Sequence, residues 1–241
     1  MVAGLAFLAT AIATAFAQAT GVRFTRGRKP HERAWTIALA LFALASAALA
    51  TGASSGWDTG TFRVFYLFGA VLCVPWLGLG TIYLLAGTTV GRRAETALIL
   101  FSGFAVGVML SAPIHGTILR DGGIPIGKDH FGAMPRVLAG VASGVGATVV
   151  LVGAVWSAVR FARSRAEGTS RLAAGNALIA LGTLVLSSGG LVQGAVGKDQ
   201  AFALTLAFGI AVIYAGFAVA SSVPRPARLR SARRGTLPAK L

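Results

Sequence analysis

Long apolar stretches alternate with short polar gaps along the chain. An α-helix rises about 1.5 Å per residue, so about 20 apolar residues cross a hydrocarbon core of about 30 Å. The stretches therefore predict seven transmembrane helices, at about 2–20, 34–52, 61–87, 94–112, 136–159, 172–196 and 201–222. The segment 223–241 that follows is polar, basic and proline-bearing, which predicts a cytoplasmic tail that is disordered or bound to lipid.

Composition supports the membrane assignment. Of the 241 residues, 55% are hydrophobic and only 12% are charged, with a mean hydropathy of +0.75. Soluble domains usually carry about 25% charged residues, and half that share leaves too little polar surface to cover a globule. We therefore expect an all-α membrane protein, a seven-helix up-and-down bundle.

Charge predicts the orientation of this bundle. Basic residues are concentrated in every second gap, at 23–33, 92–93 and 160–171, and in the tail. Lysine and arginine are retained on the cytoplasmic side during insertion, so the N-terminus is predicted outside and the C-terminus in the cytoplasm. A bacterial cytoplasmic membrane is the expected location. The net charge of +15 then reflects topology and contact with anionic lipid headgroups rather than nucleic acid.

Two helical hairpins resemble each other. The stretches 61–112 and 136–196 both begin on the outer side with Arg-Val and return through a basic gap to a small, polar segment. Such parallel repeats occur in transporters, although alanine- and glycine-rich helices also resemble one another by chance.

The predicted membrane interior offers little chemistry. No charged residue or histidine lies near the middle of a span, whereas ion-coupled transporters usually place such groups there. The three histidines lack the i, i+4 spacing of a metal site, and the single cysteine, Cys73, has no partner for a disulfide. We expect no catalytic residues, no metal and no cofactor, and a protein that is not an enzyme.

The outer face is where a binding site is expected. Its longest gap, 114–135, is partly apolar, so we expect it to fold back over the helix ends as a lid or to lie there as an interfacial segment. Polar and aromatic side chains on this face form the candidate ligand-binding set: Trp57, Asp58, Arg63, Tyr66, His115, Asp121, Asp129, His130 and Gln193. The alternative is that Trp57 and Tyr66 are interfacial anchors and that Asp58 and Arg63 form a surface pair.

Two local patterns concern helix packing. Pro75 in mid-span predicts a kink, because proline removes a backbone hydrogen bond. Gly140 and Gly144 form a GxxxG pattern, which is typical of close helix packing within a bundle or between protomers.

Three functions remain open. The leading hypothesis is a non-enzymatic protein that binds or moves an apolar or weakly polar small molecule or lipid through an outward-facing cavity. The second is an accessory or scaffold subunit of a larger membrane complex, and a homo-oligomer is compatible with both. The third is an intramembrane enzyme that uses His115 or His130 with an outer aspartate.

Overall fold

The structure is a computed structural model that describes residues 1–116, 118, 123–164, 169–196 and 199–221, without the side chains of 190–196. The predicted tail at 223–241 lies outside the described residues. In chain order the elements are α1 (Val2–Gly27), α2 (Pro30–Ser55), α3 (Thr59–Phe65), a π-helical segment (Tyr66–Leu72), α4 (Cys73–Ser111), α5 (Gly127–His130), α6 (Ala133–Ala162), α7 (Thr169–Val196) and α8 (Asp199–Ser221).

The chain is an all-helical, multi-pass membrane protein. Within the described ranges, six helical segments are long and apolar enough to cross a membrane, and the longest, Thr59–Ser111, has 53 residues. Large apolar side chains on the outside of the bundle, such as Leu100 (71% exposed) and Trp156 (65% exposed), suit contact with lipid.

The longest segment folds back on itself at Gly87. This glycine has φ 82° and ψ −179°, a backbone conformation that only glycine adopts without strain. The hydroxyl of Tyr83 donates to Glu95, and the indole N–H of Trp76 donates to the Ser102 hydroxyl at 3.3 Å. A straight helix would hold each of these pairs more than one turn apart, so residues 59–86 and 88–111 form two antiparallel limbs. The gap predicted at 88–93 is therefore helical, and Gly87 alone makes the turn.

The first connection is also tighter than the sequence pattern predicts. Helix α1 continues to Gly27 instead of ending near Thr20, and α2 begins at Pro30 instead of Ala34. Arg28 adopts the left-handed conformation (φ 51°) and its N–H donates to the carbonyl of Phe24, which ends α1. Hydropathy does not detect these helix ends because charged residues occupy them.

The kink expected at Pro75 stays a prediction, and the irregularity observed nearby is the π-helical segment Tyr66–Leu72, which ends three residues before it. The N–H of Cys73 donates to the carbonyl of Phe68, five residues earlier, and Pro75 itself has no N–H to donate. The hydroxyl of Ser143 on α6 donates to the carbonyl of Ala70, five residues before Pro75. A side chain from a neighbouring helix thus bonds to the backbone where the regular ladder is interrupted.

The helices form a closed ring. Helix α1 contacts α2, and the contacts continue through α4, α6, α7 and α8 back to α1. Small residues allow close approach: a Cβ added to Gly175 would lie 2.7 Å from the carbonyl oxygen of Gly216, and one added to Gly182 would lie 2.8 Å from that of Gly209. These contacts hold α7 against α8.

We predict that Gly87→Ala destabilises the protein, because the turn at Gly87 holds a conformation that costs other residues about 1–3 kcal/mol. Gly103→Ala is the matched control, because Gly103 is helical, exposed and has nothing within 4 Å of an added Cβ. The control should be neutral or stabilising by up to about 1 kcal/mol. Thermal unfolding in detergent measures both, and equal midpoints for the two variants would contradict the assignment of the turn.

Candidate functional site: a central cavity under a loop

The ring encloses a cavity of about 890 Å³. Pockets that hold drug-sized ligands usually have about 300–1,000 Å³, so this one lies near the upper end of that range. Its wall comes from α2, the first limb of the 59–111 hairpin, α6, α7 and α8. None of the described residues that line the cavity belongs to α1 or to residues 88–111, so these elements lie outside the cavity wall.

The cavity is deep. Helix α6 lines it with one stripe of residues: Arg136, Ala139, Gly140, Ser143, Gly144, Ala147 and Val150. At 1.5 Å per residue, the stripe from Arg136 to Val150 is about 21 Å long. This length exceeds half the thickness of a hydrocarbon core, which is about 15 Å.

The GxxxG pattern of α6 forms part of this wall. A Cβ added to Gly140 or Gly144 would meet nothing within 4 Å, so these two glycines face open space. The tight contact of α6 lies at Gly146, where an added Cβ would come within 2.7 Å of the Val74 backbone and 2.8 Å of the Pro75 nitrogen. The sequence pattern therefore identifies glycines that widen the cavity, while the packing glycine lies two residues further on.

Part of the outer loop covers one end of the cavity, as its apolar composition predicts. Residues Pro125 to Lys128 line the cavity, and Ile124 and Pro125 are buried. The N–H of Ile124 donates to the Asp199 carboxylate at 2.9 Å, which ties the loop to the start of α8. We call residues 123–131 the cover loop.

Aromatic packing holds the other end of the cover loop. The ring of Phe131 stacks on that of Phe62 with centroids 5.0 Å apart, and Tyr66 lies 5.0 Å from Phe131. A Cβ at Gly127 would lie 2.4 Å from the Tyr66 ring, so the loop backbone rests directly on this tyrosine. The cover loop is thus packed against the first limb of the hairpin.

The two outer histidines serve this packing. The N–H of His115 donates to the His130 carbonyl at 2.9 Å, and Nδ1 of His130 lies 3.0 Å from the His115 carbonyl oxygen. A bridge between Ile114 and Phe131 continues this pairing. His130 is buried with its ring 5.5 Å from that of Phe62, whereas His115 is exposed.

Asp58 and Arg63 have separate structural roles and do not form the pair considered above. Asp58 caps α3, accepting from the N–H groups of Gly60 (2.7 Å) and Thr61 (3.0 Å). The hydrogen bond from the Thr61 hydroxyl is the main reason that the pKa of Asp58 is lowered. The Arg63 guanidinium donates to the carbonyls of Met109, Leu110 and Ala112, where α4 ends with unsatisfied acceptors.

The remaining candidate residues are dispersed. Tyr66 lines the cavity, and among the described candidates it is alone in doing so. Asp129 is exposed on α5, and Trp57 is buried against Gly52, with an indole N–H that has no hydrogen-bond partner in the described part of the chain. The structure gives no physical reason for that unpaired N–H. Asp121 and the side chain of Gln193 lie outside the described residues.

Sequence reasoning missed the residues that shape the cavity. Lys128 and Arg136 carry its outer-end charges, and Gly140 and Gly144 give it width. A signal existed for Arg136, because the apolar stripe that follows it on α6 has helical spacing. No sequence pattern shows that Asp199 meets a loop 75 positions away.

The basic end of the bundle also contains ion pairs and a cation–π contact between helices. Glu95 accepts from Arg33 and from Tyr83, and Arg23 pairs with the buried Glu32 at 3.2 Å. The Arg23 guanidinium also lies 4.7 Å above the Phe217 ring. These contacts connect α1, α2, α4 and α8 at the end opposite the cover loop.

In the described ranges, no group of three or more His, Cys, Asp or Glu side chains converges. Comparison with protein-family models and with curated proteins gave no match. The function must therefore be argued from the cavity itself.

We predict that Asp199→Ala loosens the cover loop, because the Ile124 N–H loses its acceptor. Hydrogen–deuterium exchange of peptides from 123–131 should become faster. Asp199→Asn is the matched control, because its amide oxygen still accepts the bond, and it should exchange nearly as slowly as the wild type. Identical exchange in all three proteins would show that this hydrogen bond does not hold the loop.

Proposed function

We propose that this protein binds an apolar or amphiphilic small molecule or lipid in the cavity under the cover loop. In one variant of the proposal, the protein also moves this molecule across the membrane. The observation that carries the proposal is a cavity of about 890 Å³ with a mainly apolar wall and a few polar groups at one end. Ligand sites in proteins commonly have this character.

The wall supports binding rather than catalysis. Its titratable members among the described residues are Tyr66, Cys73, Lys128 and Arg136. An enzyme using His115 or His130 would need an aspartate close to one of them inside a pocket. His130 faces a backbone carbonyl and His115 is exposed, so a binding role has the better support.

Our proposal includes seven membrane crossings with the cover loop outside. The two antiparallel limbs of the 59–111 hairpin would each cross once, which adds one crossing to the six helical segments. The basic clusters near 23–33 and 92–93 lie at one end of the bundle, where Arg33 meets Glu95. Retention of these arginines in the cytoplasm supports an outside N-terminus, in a bacterial cytoplasmic membrane.

Movement of the ligand across the membrane would require the basic end to open. Phe16 packs there against Tyr214 and Phe217, with ring centroids 5.0 and 4.9 Å apart. Together with the ion pairs of Glu32 and Glu95, this packing joins α1, α2, α4 and α8 at that end. We therefore place binding before transport in the proposal.

An accessory subunit is the second candidate. A shallower apolar groove of about 400 Å³ lies between the first limb of the hairpin and α6, lined by residues such as Leu85, Val152 and Trp156. A groove of this kind suits a partner helix or a lipid chain, and this supports the accessory-subunit candidate.

Gly144→Phe tests the binding proposal. The added ring would project into open space in the cavity, so it should remove ligand while leaving the fold intact. Gly107→Phe is the matched control, because Gly107 is also helical and open but lies outside the cavity wall.

Native mass spectrometry of the protein purified in mild detergent measures the outcome. We expect a co-purifying small molecule or lipid on the wild type and on Gly107→Phe, and its loss from Gly144→Phe at unchanged thermal stability. A ligand retained equally by all three proteins would contradict the proposal.

A further inference from the structure

Among the described residues that line the cavity, every charged side chain is basic. Lys128, from the cover loop, and Arg136, at the start of α6, both line the outer end, and no carboxylate is among the described lining residues. Tyr66 lines the same end, and its ring lies against Gly127, the neighbour of Lys128 in the cover loop. The end of the cavity under the cover loop therefore carries two positive charges next to a phenol.

None of the described carboxylates forms an ion pair with Lys128 or Arg136. In the described part of the chain, the ion pairs are Arg23 with Glu32 and Arg33 with Glu95, both at the opposite end. Asp129 is exposed beside Lys128 and outside the lining, and Asp199 accepts the Ile124 N–H. Asp58 is engaged in capping α3.

Below this charged end, the cavity becomes apolar. Two of its hydroxyl groups are hydrogen-bonded to the backbone: Ser143 donates to the Ala70 carbonyl and Thr183 donates to that of Ile179. The remaining wall consists mostly of aliphatic, aromatic and glycine surface over about 21 Å of helix. A narrow apolar molecule of that length would bury its chain there.

We propose that the ligand is an anionic amphiphile, with a carboxylate or phosphate headgroup bound between Lys128 and Arg136 and its acyl chain in the cavity. This proposal rests on the proposed function. A guanidinium and an ammonium at the edge of an apolar site bind an anion through charge-assisted hydrogen bonds, which an uncharged headgroup cannot match. Two sources share this chemistry, a free fatty acid and an anionic phospholipid.

The test uses pairs of probes that differ in charge. Delipidated full-length protein in detergent is titrated with palmitate and with methyl palmitate, and separately with dipalmitoyl phosphatidylglycerol and the corresponding phosphatidylcholine. Binding is followed by native mass spectrometry. The variant is Lys128→Gln/Arg136→Gln, and the control is Arg92→Gln/Arg93→Gln, which removes two exposed charges at the opposite end.

The expected result is charge selectivity that depends on the cavity cations. At least one anionic probe should bind the wild type and the control about tenfold or more tightly than its neutral counterpart, a preference that Lys128→Gln/Arg136→Gln abolishes. Selectivity confined to palmitate identifies a free fatty acid, and selectivity confined to phosphatidylglycerol identifies a lipid headgroup. Either result, or both together, supports the proposal.

Three results would overturn it, with different consequences. If the neutral probes bind as well as the anionic ones and Gly144→Phe abolishes both, the cavity binds ligands without selecting an anion, and the proposed function survives alone. If the anionic preference persists in Lys128→Gln/Arg136→Gln, the headgroup is bound elsewhere. If Gly144→Phe changes no binding at all, the proposed function fails as well.

Discussion

The approach of α6 to the hairpin at Gly146 is the contact on which the cavity depends. The absence of a side chain there lets α6 reach the backbone at Val74 and Pro75, and a Cβ would lie 2.7 Å from the Val74 carbonyl oxygen. One turn towards the cover loop, the hydroxyl of Ser143 reaches the Ala70 carbonyl, near the ladder interrupted by Pro75. Closely packed helix backbones of this kind are common in membrane proteins, where van der Waals contact and polar bonds drive association.

This contact also explains why the same helix borders open space. Gly140 and Gly144 lie on the stripe that faces the ring interior, and no neighbouring helix fills the volume beside them. On the other side of the ring, Gly175 and Gly182 let α7 pack closely against α8. The ring is therefore closed by small residues at its helix contacts, and it remains wide where small residues face inwards.

Much of the fold follows from the sequence, because hydropathy and charge are properties of whole segments. The helical stretches near 136–159 and 172–196 lie within α6 and α7, and the stretch near 201–222 matches α8 up to Ser221. Predicted ends were less accurate where charged residues continue a helix, as at Arg23 and Arg26 in α1. The connection predicted at 88–93 is present but shorter, because Gly87 alone makes the turn and Arg92 and Arg93 belong to the second helical limb.

The site was predicted less well, because it depends on contacts distant in sequence. Residues 123–131 of the long loop pack over the cavity, as the apolar residues of that loop predict, since such residues need a surface to pack on. The same reasoning could not separate the capping roles of Asp58 and Arg63 from ligand binding. Those roles depend on which helix ends lie within reach, and Arg63 meets carbonyls 46 to 49 positions away.

The central proposal is that a small molecule can enter the cavity under the cover loop. Cys73, the single cysteine of the chain, lines this cavity and is buried, so modification of its thiol in the folded protein reports entry of a reagent. The measurement is the rate at which methyl methanethiosulfonate modifies the folded protein in detergent, followed by intact mass. We expect modification of the wild type and of Gly107→Phe, and slower modification of Gly140→Phe, whose ring would stand between the loop and the thiol. Modification at one rate in all three proteins would contradict the account.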